Sequence, residues 1–260
     1  MSQPQNLSPI AADLDAALAA TSDLTARIIL IRDALSGRIA FSSSLGLEDQ
    51  AVLHAIASLG AEIDVFTLDT GRHFPETLDT LAASEDRYLP LKIRLVAPEA
   101  EDVEALTNRD GVLGFRKSIE ARKACCDVRK VRPLNRALQG VTGWITGLRR
   151  EQAASRKTVA FAEHDTALDL VKLNPIADWT LVQLEAYIAQ HTIVVNPLHA
   201  KGFSSIGCAP CTRAIHPGED IRAGRWWWEQ ENAEFAHKEC GLHNRPKQPS
   251  QPADASETSP

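Results

Sequence analysis

Five cysteines are the residues of this chain whose types and spacing most directly suggest chemistry. Cys125 and Cys126 are adjacent, Cys208 and Cys211 form a Cys-x-x-Cys pair, and Cys240 stands alone. Four thiolates in two close pairs supply the ligand set of a tetrahedral zinc ion or of an iron–sulfur cluster. Adjacent side chains diverge by about 100° around a helix. Cys125 and Cys126 therefore suit a four-iron cluster, with its separate corner irons, better than one zinc ion. Gly207-Cys208-Ala209-Pro210-Cys211-Thr212 is a turn-forming stretch in which Pro210 helps both thiols face one point; a redox pair or a zinc half-site are its other readings. Cys240 sits in Glu239-Cys240-Gly241-Leu242-His243. Those polar, glycine-containing neighbours suit a reactive thiolate better than a small core hydrophobe.

A second chemical feature is Ser42-Ser43-Ser44-Leu45-Gly46-Leu47-Glu48-Asp49. Small hydroxyl residues and a glycine before a helix make an anion cradle, although a plain serine-rich helix cap has the same composition. The stretch is neither a Walker A loop nor a dinucleotide fingerprint. Basic residues reinforce the anion reading. Arg116, Lys117, Arg122, Lys123, Arg129, Lys130, Arg132 and Arg136 face only Glu120 and Asp127 across that stretch, in a chain whose net charge is −6. Some of these must be a solvated face. The run nevertheless encloses Cys125 and Cys126, where positive charge lowers thiolate pKa and draws in an anionic substrate.

These residues need a scaffold. Leu14, Leu18, Leu24, Ile28, Ile31 and Leu35 recur at helical spacing and predict one helix over 11–36, with Ser22 as a candidate N-cap. Strands are expected at 38–42, 63–68, 91–96, 143–147 and 169–173. Helices are expected between them at about 48–59, 75–86, 99–107 and 128–138, and after them to about 190. Strands alternating with helices imply an α/β fold, a parallel sheet sandwiched by helices. The Ser/Gly loop, the loop at Asp69 and the loop after Gly147 then fall at the carboxyl ends of strands, where such sheets bind ligands.

Composition excludes other classes. The 260 residues are 44% hydrophobic and 24% charged, as in a globular chain. Acidic balance argues against a nucleic-acid or membrane-surface binder. The N-terminus lacks the pattern of a signal peptide, and no apolar run is long enough to span a membrane, so a cytoplasmic chain is expected. Five cysteines, an odd number, do not make a disulfide framework. The stretch from Asn244 to Pro260 holds four prolines and no large aliphatic residue, which predicts a disordered tail.

Taken together the motifs resemble one family. Ser42 to Gln50, Leu68-Asp69-Thr70-Gly71-Arg72, Cys125-Cys126-Asp127-Val128-Arg129-Lys130, Thr146-Gly147-Leu148-Arg149-Arg150-Glu151-Gln152, Gly207 to Arg213, Gly224-Arg225-Trp226-Trp227-Trp228-Glu229 and Glu239 to His243 are similar to assimilatory adenylyl-sulfate (APS) reductases, relatives of the 3′-phosphoadenylyl-sulfate (PAPS) reductases. The resemblance covers roughly 35–243. It implies an adenine-nucleotide alpha-hydrolase-like (PP-loop) fold with a flexible C-terminal segment, divided as a helical segment over 1–36, a reductase domain over 37–243 and a tail over 244–260.

It also implies roles. Ser42, Ser43, Ser44 and Gly46 would hold the phosphosulfate, while Leu68, Asp69 and Gly147 would line the adenosine pocket. Lys130, Arg222 and Arg225 would contact the phosphate and sulfate oxygens, and His243 would touch substrate. Cys240 would attack sulfur, forming S-sulfocysteine and expelling AMP. Thioredoxin or glutaredoxin would then release sulfite. Cys125, Cys126, Cys208 and Cys211 would ligate a [4Fe–4S] cluster. The paired cysteines point to APS rather than PAPS as substrate, with PAPS or dual specificity the alternative. A redox- or metal-sensing module and an ATP-dependent adenylating enzyme are the readings from other classes. The chain as it stands carries no thioredoxin-like domain, so another protein is expected to supply the reductant. The sequence leaves a homo-oligomer open. Trp226, Trp227 and Trp228 are expected to pack the C-terminal segment onto the domain rather than to stack on adenine.

Overall fold

The computed structural model describes residues 6–229 and Leu242. Helices α1 (Leu7–Ala19) and α2 (Leu24–Ala34) lead to strand β1 (Arg38–Ser43), α3 (Leu47–Leu59), β2 (Asp64–Leu68), α4 (Pro75–Arg87) and β3 (Arg94–Val96). Then come α5 (Ala100–Asp110), α6 (Ile119–Cys126), a π-helical turn (Asp127–Val131), α7 (Arg132–Ala137) and β4 (Val141–Ile145). Strands β5 (Ala162–Asp165) and β6 (Leu170–Leu173) and helix α8 (Leu181–His191) complete the regular elements.

The sheet order is β3-β2-β1-β4-β6-β5. All neighbours are parallel except β5, which runs antiparallel to β6 along one edge. The expected parallel sheet is therefore mixed at that edge. Glu163, His164 and Asp165 give β5 no apolar run, because an edge strand needs little burial to pair.

Alternation along β1 divides the core between two faces. Ile39 and Phe41 join a large cluster with α1, α2, α3 and α8, while Ala40 joins Phe66, Leu134, Leu138 and Trp144 under α7. The helix expected over 11–36 is two helices. The Thr21 hydroxyl bonds back to the Ala17 carbonyl at 2.9 Å, and Asp23, not Ser22, caps α2 by accepting from the Ala26 amide at 2.7 Å. Short polar side chains compete here with the helical ladder. α1 also starts at Leu7, earlier than expected, under an Asn6 cap. Buried Arg27 of α2 ties this region to the sheet, donating to the Pro175 carbonyl at 2.7 Å and to both Asp178 oxygens at 2.7 and 2.9 Å.

The helix expected over 128–138 begins further upstream. α6, the π turn and α7 follow one another without a break, so Cys125, Cys126 and Lys130 lie on one helical rod. Inserted π turns shift side chains around a helix axis and are frequent at functional sites. Because β1, β2 and β4 are parallel, the loops that leave them converge at one end of the sheet, which is where the candidate site lies.

Candidate active site

The chain leaves β1 through Ser42 and Ser43 and enters α3 past Leu45, whose φ of 61° is left-handed, and Gly46. The loop satisfies itself. The Ser44 amide and hydroxyl both donate to Asp49 Oδ2 at 2.6 Å, the Leu45 amide donates to Ser43 Oγ at 3.1 Å, and Trp144 Nε1 donates to Ser42 Oγ at 2.8 Å. The expected cradle of outward-facing donors is thus partly turned inward, onto Asp49. Burial pushes the Asp49 carboxyl up to about 6, against the pull of its bonds from Ser44. Gly147 packs over this carboxylate so closely that an added Cβ would overlap Asp49 Oδ1. Buried Arg149 supports the loop from behind, bonding Glu48 Oε1 at 2.8 and 3.0 Å and the Trp179 carbonyl at 3.1 Å.

These loops border a cavity of about 230 Å³. Ser42, Ser43, Ser44, Gly46, Leu68, Lys130, Gly147, Arg222 and Arg225, all singled out from sequence, line it together. Asp69 does not; its carboxylate accepts from the Gly71 amide at 2.8 Å and shapes the turn beneath the cavity. Cys240 and His243 lie outside the described residues, as do residues 1–5 and the tail over 244–260. Leu242, between Cys240 and His243 in sequence, lines the cavity and packs on the smaller core cluster.

Arg225 is buried; among the described residues it is joined to no carboxylate and its Nε has no hydrogen-bond partner, while its Nη1 lies 3.4 Å from Ser205 Oγ and 3.5 Å from the Ile206 carbonyl oxygen. A buried guanidinium so placed calls for an anion. Sequence reasoning assigned no site role to His73, Arg156, His199, Ser204 or Ser205, which also line the cavity. Ser204 and Ser205 lie in a loop after α8, His199 opens a short 3-10 turn just before it, and no motif marks them.

A second, smaller cavity adjoins the first. All four paired cysteines line it, with Arg72, Arg122, Arg129, Lys130 and Arg225. Lys130, Cys208 and Arg225 line both cavities. The cysteine loop is held from two sides. The Ala209 amide donates to the Arg72 carbonyl at 2.8 Å, and the Trp226 amide to the Cys211 carbonyl at 3.2 Å. Burial opposes ionisation of Cys208, yet Lys130, the Thr70 hydroxyl at 3.3 Å, Arg225 and Arg72 together bring it below the usual thiol value. Burial, then Cys208 and Cys126, push Cys211 up to about 12, and burial also raises Cys125. Among the described residues, no three His, Cys, Asp or Glu side chains are grouped to hold a metal ion. The four thiols instead share one cavity, and the five cations around it would offset the negative charge of a thiolate-ligated group.

The tryptophans pack, as expected. Trp226 is buried between two cations, with the Arg122 guanidinium 4.2 Å and the Arg225 guanidinium 4.8 Å from its ring. Arg122 also pairs with Glu229 at 2.6 Å, both side chains being buried, which closes this segment onto α6.

The sequence profile of the phosphoadenosine phosphosulfate reductase domain matches residues 38–214. An adenosine 5′-phosphosulfate reductase of Agrobacterium fabrum is 49% identical over 238 residues, covering 92% of this chain and 89% of that protein. One from Rhizobium meliloti is 50% identical over 221 residues, covering 85% of this chain and 81% of that protein. The crystal structure of a phosphoadenylyl-sulfate reductase from Candida auris, a phosphate complex, shares the fold at a TM-score of 0.65 and 23% identity, covering 83% of this chain and 99% of that one. With its sheet, its strand-end cavity and its sequence all in agreement, the chain belongs to the phosphoadenosine phosphosulfate reductase domain family.

Proposed function

We propose that the chain is an oxidoreductase of sulfate assimilation that reduces adenosine 5′-phosphosulfate to sulfite and AMP. The observation that carries this reading is the shared wall of Lys130, Arg225 and Cys208 between the larger, strand-end cavity and a four-thiol cavity. Cations on that wall suit an anion whose charge grows as a bond breaks.

The nucleotide lies with its base toward Leu68 and the Gly147 backbone and its phosphosulfate toward Lys130, Arg222 and Arg225. The Cys240 thiolate attacks the sulfate sulfur, the bridging S–O bond breaks, and AMP leaves with the electron pair. Cys240 then carries a sulfonate. A partner dithiol, thioredoxin or glutaredoxin, attacks the Cys240 sulfur; sulfite leaves with the electron pair of the S–S bond, and the partner's second thiol resolves the mixed disulfide. Cys125, Cys126, Cys208 and Cys211 would hold a [4Fe–4S] cluster, whose contribution would be electrostatic or structural. Around it Arg72, Arg122 and Arg129 balance charge, and Lys130 faces both centres. Free thiols and a thiol reductant suit a cytoplasmic setting, and no helix among the described residues is long and apolar enough to cross a membrane.

Sulfite release with thioredoxin, measured with APS and with PAPS, tests the reading. Faster turnover with APS is expected; faster turnover with PAPS overturns the substrate assignment.

A further inference from the structure

His199 carries an acceptor that nothing among the described residues uses. Its Nδ1 lies 2.9 Å from the Phe203 carbonyl oxygen. A carbonyl only accepts, so Nδ1 carries the hydrogen, and Nε2 of the neutral ring is a bare lone pair. Nε2 is enclosed and has no hydrogen-bond partner among the described residues. Burial favours the neutral ring, outweighing the Phe203 bond and the nearby Glu48 carboxylate. A buried acceptor without a donor is unfavourable and asks for an explanation.

His199 and Glu48 both line the larger cavity, and neither lines the cysteine cavity. Glu48 reaches the cavity from the first turn of α3, with Oε1 held by Arg149. The cavity thus has a cationic wall shared with the thiols and, apart from it, a lining that includes these two acceptors together with Asp49, Arg156 and Arg222. A phosphosulfate carries no donor and belongs with the cations. The flat base suits the apolar side chains of Leu68 and Leu134. The base carries its amino group with it toward Leu68 and the Gly147 backbone, and the other donors of the nucleotide are the two adjacent hydroxyls of its ribose.

We propose that His199 and Glu48 form the ribose subsite, accept hydrogen bonds from the ribose hydroxyls, and thereby select a nucleotide with a free ribose over one phosphorylated there. The proposal rests on the APS-reductase reading and names what sets its substrate preference. A 3′-phosphate replaces a donor by a dianion and meets two acceptors, one of them charged. Carboxylates read an unphosphorylated ribose in the same way in dinucleotide sites. A site built to accept from a hydroxyl also rejects the analogue that lacks it.

Equilibrium binding to the full chain tests this, with AMP, 2′-deoxy-AMP, 3′-deoxy-AMP, inosine 5′-monophosphate and adenosine 3′,5′-bisphosphate as probes. Wild type is expected to bind AMP about tenfold more tightly than at least one deoxy analogue. His199→Leu is expected to erase that difference, and His199→Gln, which keeps an acceptor, to retain part of it. Glu48→Gln is expected to narrow the preference for AMP over the bisphosphate. Equal wild-type affinity for AMP and both deoxy analogues overturns the proposal without any variant. So does a His199→Leu protein that keeps the discrimination, or one whose lost discrimination is between AMP and inosine 5′-monophosphate. Failure of the APS reading itself would appear separately, as absence of sulfite release, while these affinities could still be read.

Discussion

Asp49 and Ser44 are joined twice, the carboxylate Oδ2 accepting both the amide and the hydroxyl of the serine at 2.6 Å. The loop that should greet an anion is therefore braced from below by a buried anion of its own. Burial raises the Asp49 pKa from 3.8 to about 6. The folded state then holds this proton where the unfolded chain has lost it. Stability from Asp49 is fully present below about pH 4 and is lost as pH rises through about 6. Urea unfolding of wild type and Asp49→Asn checks this. The stability of wild type relative to the variant is expected to shrink by a few kcal/mol between pH 4 and 7. A difference that is flat with pH contradicts the assignment.

Gly147 is the complement of Asp49. A methyl group at Gly147 would overlap Asp49 Oδ1 and lie 3.1 Å from both the Asp49 amide nitrogen and Glu48 Cβ. Backbone cannot yield as a flexible side chain can. Gly147→Ala is expected to destabilise the protein by about 1–3 kcal/mol and to raise the nucleotide Kd. Wild-type stability and affinity in that variant would show that the loops have room to separate.

Lys130 faces both cavities from the π turn, so its two environments can be told apart. Lys130→Ala is expected to lower kcat/KM by about 10²–10³, the usual loss of a fixed transition-state donor. The larger part should fall on kcat, because charge on the leaving phosphate grows only as the S–O bond breaks. A change confined to KM would mean that Lys130 only binds.

How much of this was legible in the sequence varies by residue. Cys125, Cys126, Cys208 and Cys211 were legible as a set, because thiols are rare and their pairing is local. Five strands followed from local apolar runs, and the loops at Ser42, Asp69 and Gly147 followed from their positions at strand ends. β5 was not legible, since an edge strand such as Glu163-His164-Asp165 needs no apolar pattern. His199 was hidden because its significance is a missing partner beside Glu48, far away in sequence. Asp49 was visible only as a residue near a helix start; that its carboxylate turns back onto Ser44 is a property of the folded loop. Asp69 matched a motif, yet its side chain serves the turn.

The thiol cavity makes a separate claim that colour and metal analysis can check. Anaerobically purified protein is expected to be coloured and to contain iron and sulfide. Cys208→Ser, which removes the thiol shared by both cavities, is expected to lose most of that iron. A colourless, iron-free wild-type preparation contradicts the cluster.

The central claim is that Cys240 becomes sulfonated before any reductant acts. Incubating anaerobically purified protein with APS alone, and measuring AMP together with the mass of the peptide that contains Cys240, tests it most directly. The expected result is one AMP released per chain and one sulfonate added to that peptide. An unmodified Cys240 beside released AMP, or no AMP at all, contradicts it.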